Sequence, residues 1–574
     1  MDDSCLNLFG SGGKITPQIA WSFYQNGLNF NNQINLDATV KSNENFYIGK
    51  QWEGVQSNGL PTPQFNIIKR VVNFSVATIT TDSVKVNATA LANTPDTGSL
   101  AEPVRIVNEE FEALNEANNV PSLLREFARN AAVDGDGCLY TYWDTEADAG
   151  HGKKGAVRTE IIGNTRVIFG NPNDRLVQSQ PYIQVVKRDI ARNTRKRAKE
   201  NGSPDWDGIM PDSDSSNATD GAKYTDDKVT VLLTLWRDDE DGEIHAFEST
   251  QNCVVKNPYS LGIRLYPICW LCWDYIQDCY HGQAMVTGLI PNQIFINKAY
   301  AMSMLSMMRT SFPKIIYDRT RISGWDNRVG GAIPVNGGDI NSVARIIDPA
   351  SISPQISQFI QMAIEETEQS LGATSVALGD TRPDNTSAII ALQRAAATPS
   401  EMTKQNLYKS VEDLYRIYLE FMGGFYGTRM VDMEPPEKLR QVYQFVGQEM
   451  PDEISMPFDF SQLRLHPMTL KLDVGASSYY SEIASMQTLD NLLMNGHITA
   501  TQYLERIPDG YIPARRALIN ELKAAQAQAV MEAPTGGGGG PILQDIGKPD
   551  IPTGGGFSDL QRKVLQSGTT EGMV

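Results

Sequence analysis

The chain has 574 residues, 41% of them hydrophobic, and a net charge of −18 from 50 Lys and Arg against 68 Asp and Glu. Length and apolar content exclude a wholly disordered chain and predict several domains around a sizeable core. The acidic balance excludes a protein that grips nucleic acid over a broad basic face; it leaves room for one past which a duplex slides, because an acidic wall does not hold DNA.

Met1 to Gly10 shows neither the basic segment nor the apolar run of a secretory signal, and no stretch of about 18 apolar residues occurs, so no membrane span is expected. The cysteines Cys5, Cys138, Cys253, Cys269, Cys272 and Cys279 are sparse and read as reduced thiols of a protein made in a cytosol. Residues 1–30 carry weak signals and are expected to form an arm. Asn66 to Ile79 has Ile67, Ile68, Val71, Val72 and Phe74 at helical spacing, and Thr80 to Ala90 then alternates as a strand does. Residues 101–131 read as a helix that ends at Asp134-Gly135-Asp136-Gly137, with a strand from Cys138 to Trp143. Residues 155–280 read as short strands around an exposed, mobile polar insert from about Asn201 to Asp227, giving an α+β region.

The centre is more informative. Pro291 to Ser311 reads as a helix apolar on nearly every side, which must be covered on every side. Asn292, Asn297, Lys298 and Arg309 make it too polar for a bilayer, so neighbouring helices, including those of other subunits, are the expected cover. Phe312 to Pro349 reads as a compact strand-and-turn insert. A second helix opens at Ser353-Pro354, an N-cap followed by proline, with Ile356, Phe359, Ile360, Ala363 and Ile364 on one face and Glu365, Glu366 and Glu368 on the other. After a polar loop at 379–385 a long helix is expected over Ser387 to Met422, stopped by Gly423-Gly424. Thr398-Pro399-Ser400-Glu401 inside it either starts a new helix or kinks a continuous one. Residues 428–475 return to extended structure, 478–530 read as helices, and the tail from Pro534, with five consecutive glycines, reads as flexible.

Four patterns suggest chemistry and are better explained without it. Cys269-x-x-Cys272 with Cys279 and His281 has the look of a zinc set, but strand alternation puts Cys269 and Cys272 on opposite faces, and buried structural thiols are preferred. Asp134-Gly-Asp136-Gly lacks the later ligands of a calcium loop and reads as a turn. Gly10 to Lys14 misses the spacing of a phosphate loop and no strand precedes it. The carboxylates Glu434, Glu437, Asp452 and Asp459 would serve a hydrolase, but an acidic chain supplies such groups by chance. No catalytic residue, metal or cofactor is expected.

The order of these elements resembles that of the portal, or head-to-tail connector, proteins of tailed phages, especially short-tailed ones. FYIGKQW followed by PTPQFNIIKRVVNF is similar to the start of the family's wing. YHGQAMVTGLIPNQIFINKAYAMSMLSMM is similar to the junction into its first stem helix. LGATSVALGDTRPDNTSAIIALQRAA is similar to the second stem helix running into the tunnel loop and long helix. The resemblance covers about residues 40–525. It implies a portal fold: an N-terminal arm (1–30), an α+β wing (31–286, resumed within 399–475 after the long kinked helix), stem helices (287–311 and 353–371), a small strand-containing clip (312–352), a tunnel loop with the start of the long helix (372–398), a helical crown (476–530) and a Gly-rich tail (531–574).

It implies a dodecameric ring at the portal vertex of a virion, made in a bacterial cytoplasm, through which double-stranded DNA passes with weak, non-specific contact. The implied partners are the terminase large subunit, a tail adaptor or head-completion protein, and the major capsid protein. Arg382, Asn385, Arg394, Glu365, Glu366 and Glu368 are the expected tunnel residues; Lys314, Arg319, Arg321 and Arg328 the expected docking residues of the clip; Phe295, Tyr300, Met304 and Met308 the expected subunit contacts of the stem. Another virion component, an adaptor or a scaffold, is the alternative. Adaptors are generally shorter, and scaffolds are usually helical throughout, unlike the strand-rich 155–280.

Overall fold

The structure, a computed structural model, describes residues 15–57, 59–81, 84–90, 101–148, 154–212, 228–311, 315–324, 333–339, 342–346, 354–369, 398–433, 454–464, 468–474, 479–495, 497–507 and 518–519. It is α+β, and it falls into two units, Met1–Ile483 and Ala484–Val574. The expected tunnel residues Arg382, Asn385 and Arg394, the clip residues Lys314 and Arg328, the carboxylates Glu434, Glu437 and Asp452, and the Gly-rich tail lie outside the described residues.

The first unit has a main core and two smaller ones. Helix α1 (Pro17–Gln33) starts at Thr16, whose side chain accepts from Ile19 N. It is docked rather than a loose arm: Ala20 and Phe23 are buried with Tyr182, Trp236 and Phe247 of a five-stranded sheet. Helix α2 (Leu36–Ile48) ends at Gly49, where φ is +92°. Helix α3 (Ile67–Thr80) has Asn66 as its cap and buries Ile68, Val71, Val72 and Ile79, which realises the helical spacing. Strand β1 (Val84–Ala90) follows and pairs antiparallel with a strand nearly four hundred residues on, Met468–Val474.

The single helix expected over 101–131 is two, α4 (Ala101–Ala117) and α5 (Val120–Asp134). Asn119 breaks them in the left-handed region at φ +48°, a conformation asparagine tolerates better than most residues. Strand β2 (Asp136–Asp148) is the middle of a three-stranded sheet, between β3 (Lys154–Ile161) and β9 (Ile268–Cys272). The five-stranded sheet runs β4 (Val167–Phe169), β5 (Tyr182–Ile190), β6 (Lys228–Arg237), β7 (Ile244–Ser249), β8 (Val254–Ser260), antiparallel throughout. Helix α6 (Ala191–Glu200) lies on it. The start of the expected mobile insert is packed instead: Ile209 is buried with Ala191, Ala198, Val229, Val231, Cys253 and Val255.

Helix α7 (Met285–Ser311) begins six residues before the expected start, so Pro291 sits inside it. An interior proline removes one backbone hydrogen bond and costs about 3 kcal/mol. Burial of Val286 and Leu289 in the main core offsets that and holds the early turn helical. A short hairpin, β10 (Ile315–Tyr317) with β11 (Ala344–Ile346), separates α7 from α8 (Pro354–Gln369). Thr398–Ser400 forms one tight turn leading into α9 (Glu401–Phe425), which buries Leu407, Val411, Leu414, Tyr418 and Phe421 against the three-stranded sheet.

Gly423 and Gly424 do not stop α9. They lie within it because Arg464 and the Gly262 carbonyl pass too close for a Cβ: one on Gly424 would sit 3.0 Å from that oxygen. The stop is Gly427, at φ +56°. Strands β12 (Thr428–Met433) and β13 (Ile454–Asp459) pair next, and β14 (Met468–Val474) closes on β1. Helix α10 spans Tyr479–Met494. In the second unit, α11 (Ala500–Arg506) starts with a capping box between Thr499 and Gln502, and Leu504, Ile507 and Ile519 cluster.

Candidate functional site

The three helices α3, α7 and α8 meet at one end of α7, and polar side chains fix how they meet. Gln293, 1% exposed, accepts from Ile67 N at 3.1 Å and Ile68 N at 3.4 Å, so a side chain of α7 satisfies the free amides that begin α3. Its amide nitrogen donates to Phe65 O at 2.6 Å and Asn297 Oδ1 at 2.9 Å. Asn297 donates in turn to Gln51 Oε1 at 2.7 Å. Six residues before Gln293 on the same helix, Thr287 Oγ1 accepts from Asn43 at 2.9 Å. Helix α8 is tied by Asn292 to Thr367 Oγ1 at 3.2 Å, and by Arg70 of α3 to Glu368 at 3.2 Å.

A second polar knot lies just before α7. His281 Nδ1 meets Asp136 Oδ2 at 2.7 Å, and Gly282 N donates to Asp136 Oδ1 at 2.7 Å; both side chains are essentially inaccessible to solvent. Burial, with Glu44 nearby, pushes the carboxyl of Asp134 up to about 7, against the pull of Arg129. This turn was expected from the Gly residues; its anchoring of the chain entering α7 was not.

Beyond Ala301 the surroundings of α7 change. Met302 is 62% exposed, Met304 46%, Met307 57% and Met308 55%. At 100° per residue these point around much of the helix, so no single neighbour among the described residues covers them. Of the expected stem contacts, Phe295 is exposed on one side and meets Phe359 edge-on at 5.6 Å. Tyr300 is half-buried under Phe65 of its own chain, so it is not open as expected. On α8, Ile356, Phe359 and Met362 are exposed while Ile360 is buried. Exposed apolar side chains are thus gathered on the far half of α7 and on α8.

The three glutamates of α8 separate. Glu368 is 13% exposed and held by Arg70, whereas Glu365 and Glu366 are exposed, Glu365 accepting from Gln361. In the hairpin region, Arg319 is exposed. Arg321 is used internally, near Asp318 at 3.6 Å and donating to Ser342 Oγ at 3.3 Å. Asp459 caps a turn by accepting from Ser461 N. The Cys269 and Cys272 pair lies on β9: Cys269 is fully buried, and the Cys272 thiol donates to Tyr280 O. Burial raises both thiols, and among the described residues no three His, Cys, Asp or Glu side chains gather as a metal site. Among the described residues no helix is long and apolar enough to cross a membrane.

Sequence reading missed the Gln293 clamp. Its signal was there: Gln293 and Asn297, four residues apart, are polar side chains on one face of an otherwise apolar helix. The arrangement makes α7 a rod clamped at one end and exposed along the other. Residues 195–431, which include α7, the hairpin, α8 and α9, match the family model of the phage P22-like portal protein. No curated protein matches the chain. The family match supports a phage portal protein, a structural component of the virion capsid in genome packaging.

Proposed function

We propose that the chain is one subunit of a dodecameric portal ring at a capsid vertex of a short-tailed phage. The ring is the channel for genome packaging and ejection, docks the terminase motor and later a tail adaptor, and performs no covalent step. The family match over 195–431 carries this reading. The open half of α7 supports it, because in a closed ring each copy presents different faces to its two neighbours and both flanks of one helix are covered.

In this reading α7 and α8 are the stem, the hairpin between them the clip, 31–286 and 428–475 the wing, and 476–530 the crown. Arg319, with Lys314 and Arg328, faces the motor or adaptor, while Arg321, held by Asp318 and Ser342, braces the clip from within. Glu365 and Glu366 face the channel, where an acidic lining keeps contact with sliding DNA shallow, and Arg382, Asn385 and Arg394 touch phosphates transiently. Glu368, held by Arg70, contributes to the stem's attachment instead.

Negative-stain images of the purified protein test the reading: rings with a central hole are expected, and small monodisperse globules overturn it. An Arg382→Ala, Arg394→Ala variant is expected to form rings but to yield virions that lose packaged genome. Wild-type packaging by it would remove those two residues from the channel.

A further inference from the structure

Two helices of the first unit carry opposite charge in one pattern. Helix α6, ARNTRKRAKE, has five basic residues and one acidic, a net of +4. Helix α4, AEPVRIVNEEFEALNEA, has five acidic residues and one basic, a net of −4. On α6, Ala191, Thr194 and Ala198 are buried against the five-stranded sheet, which leaves Arg192, Lys196 and Lys199 exposed with Arg195 half-buried beside them. On α4, Ile106, Val107, Phe111 and Leu114 are buried, which leaves Glu109, Glu112 and Glu116 exposed. Both stripes follow i, i+3 or i+4, i+7, and each is about 10 Å long.

Only some of these charges serve their own helices: Lys199, in the last turn of α6, suits the helix dipole, and Arg192 and Glu116 do not. A cation in the first turn and an anion in the last oppose the helix dipole, and Arg192 is the second residue of α6 and Glu116 the second-last of α4. Partners inside the chain answer only part of each stripe. Lys196 lies 3.8 Å from Glu200, Arg195 donates to Ile209 O, and Lys199 sits over Trp206. Glu109 pairs with Arg105 at 2.6 Å and Glu112 with Lys85 at 3.3 Å. Arg192 and Glu116 make no ion pair among the described residues.

We infer that α6 of one copy docks on α4 of the next copy around the ring. The inference rests on the ring reading above. Copies of a chain carrying −18 repel one another, so a contact between them needs a place where the sign is reversed. A head-to-tail ring requires two different, complementary patches on each chain, and these helices supply one of each sign. A nucleic acid would account for the basic stripe and leave the acidic one unexplained. Exposed charge pairs of this kind contribute mainly to the rate and the order of assembly.

The test uses the full chain in three charge reversals. Arg192→Glu, Lys196→Glu, Lys199→Glu is one; Glu109→Lys, Glu112→Lys, Glu116→Lys is the second; the third carries all six. Folding is checked by circular dichroism and ring formation followed by light scattering. Each triple variant is expected to assemble about tenfold or more slowly at low salt, the sixfold variant to recover the wild-type rate, and an equimolar mixture of the two triples to co-assemble. In about 1 M salt, where screening acts within roughly 3 Å, the differences should vanish. Folded triple variants that assemble at the wild-type rate overturn the contact, as does a sixfold variant no faster than either triple. A basic-stripe variant that assembles normally but loses duplex binding assigns that stripe to nucleic acid and also overturns it. A wild-type chain that forms no rings overturns the ring reading itself, and this contact with it.

Discussion

Between Met285 and Ala301, helix α7 buries Val286, Leu289, Ile296, Ala299 and Ala301 in its own chain, with Gln293 bonded to the start of α3 and Asn297 to Gln51. From Met302 to Met308 the composition is no less apolar, yet four methionines are about half exposed. One helix therefore holds two kinds of hydrophobic residue: those buried by described neighbours in the same chain, and those left about half exposed. The polar residues mark the boundary. Where α7 is buried, directional hydrogen bonds fix its rotation; in the proposed ring, the flexible methionines of the exposed half would adapt to the surface of a second copy.

The comparison breaks most visibly at the open end. Met304→Asp with Met308→Asp should leave the fold intact by circular dichroism, because neither side chain is in the core, and should abolish rings by light scattering. Rings at normal yield would show that this half of the helix meets no other copy.

At the clamped end the effect should be on stability instead. Gln293→Ala strips the partner from Ile67 N, Phe65 O and Asn297 together, and each buried polar group left unpaired costs about 1–3 kcal/mol. A total loss of about 2–5 kcal/mol is expected in denaturant unfolding. A loss below about 0.5 kcal/mol would mean that water replaces Gln293 and that the clamp is not what orients α7.

A pH experiment reaches the turn below the clamp. The folded chain holds the Asp134 carboxyl at about 7, above its ordinary 3.8. A raised acid stabilises the fold while both states are protonated, below about pH 4, and that contribution is lost as pH rises through 7. Asp134→Asn should thus nearly match wild type near pH 4 and exceed its stability by about 3–4 kcal/mol near pH 7. Parallel stability profiles from pH 4 to 7 would show that the carboxyl is solvated.

What was legible in the sequence follows the same division. Local signals were read correctly where local physics decides: the apolar spacing of Ile68, Val71 and Val72 is the buried face of α3, although the cap at Asn66 was not read. The strand at Val84–Ala90 was legible, but its pairing with Met468–Val474 was not, since register across such a separation is set by packing. The break at Asn119 was hidden because asparagine enters the left-handed region without a glycine to announce it. Gly423-Gly424 misled because glycine serves close approach as well as termination, and here Arg464 and Gly262 demand the former. At the site, the apolar rod was legible and the cover over Tyr300 was not, because Phe65 lies far away in sequence.

The smallest effect should come from the tie between α3 and α8. Arg70 is half exposed and Glu368 is 13% exposed, so the pair is neither a free surface contact nor a buried one. Exposed pairs contribute about 0–1 kcal/mol, while a carboxylate left without its cation in a poorly solvated place costs more. Arg70→Ala should therefore destabilise by about 1 kcal/mol, more than Glu368→Gln, which leaves no stranded charge. Glu365→Gln and Glu366→Gln should change stability by less than about 0.3 kcal/mol, since both carboxylates are exposed and lack a cation among the described residues. Raising the salt should shrink the Arg70 effect only partly, because Glu368 is shielded from solvent ions. Equal responses from all three glutamates would show that Glu368 faces solvent with the others and that Arg70 does not tie α8 to α3.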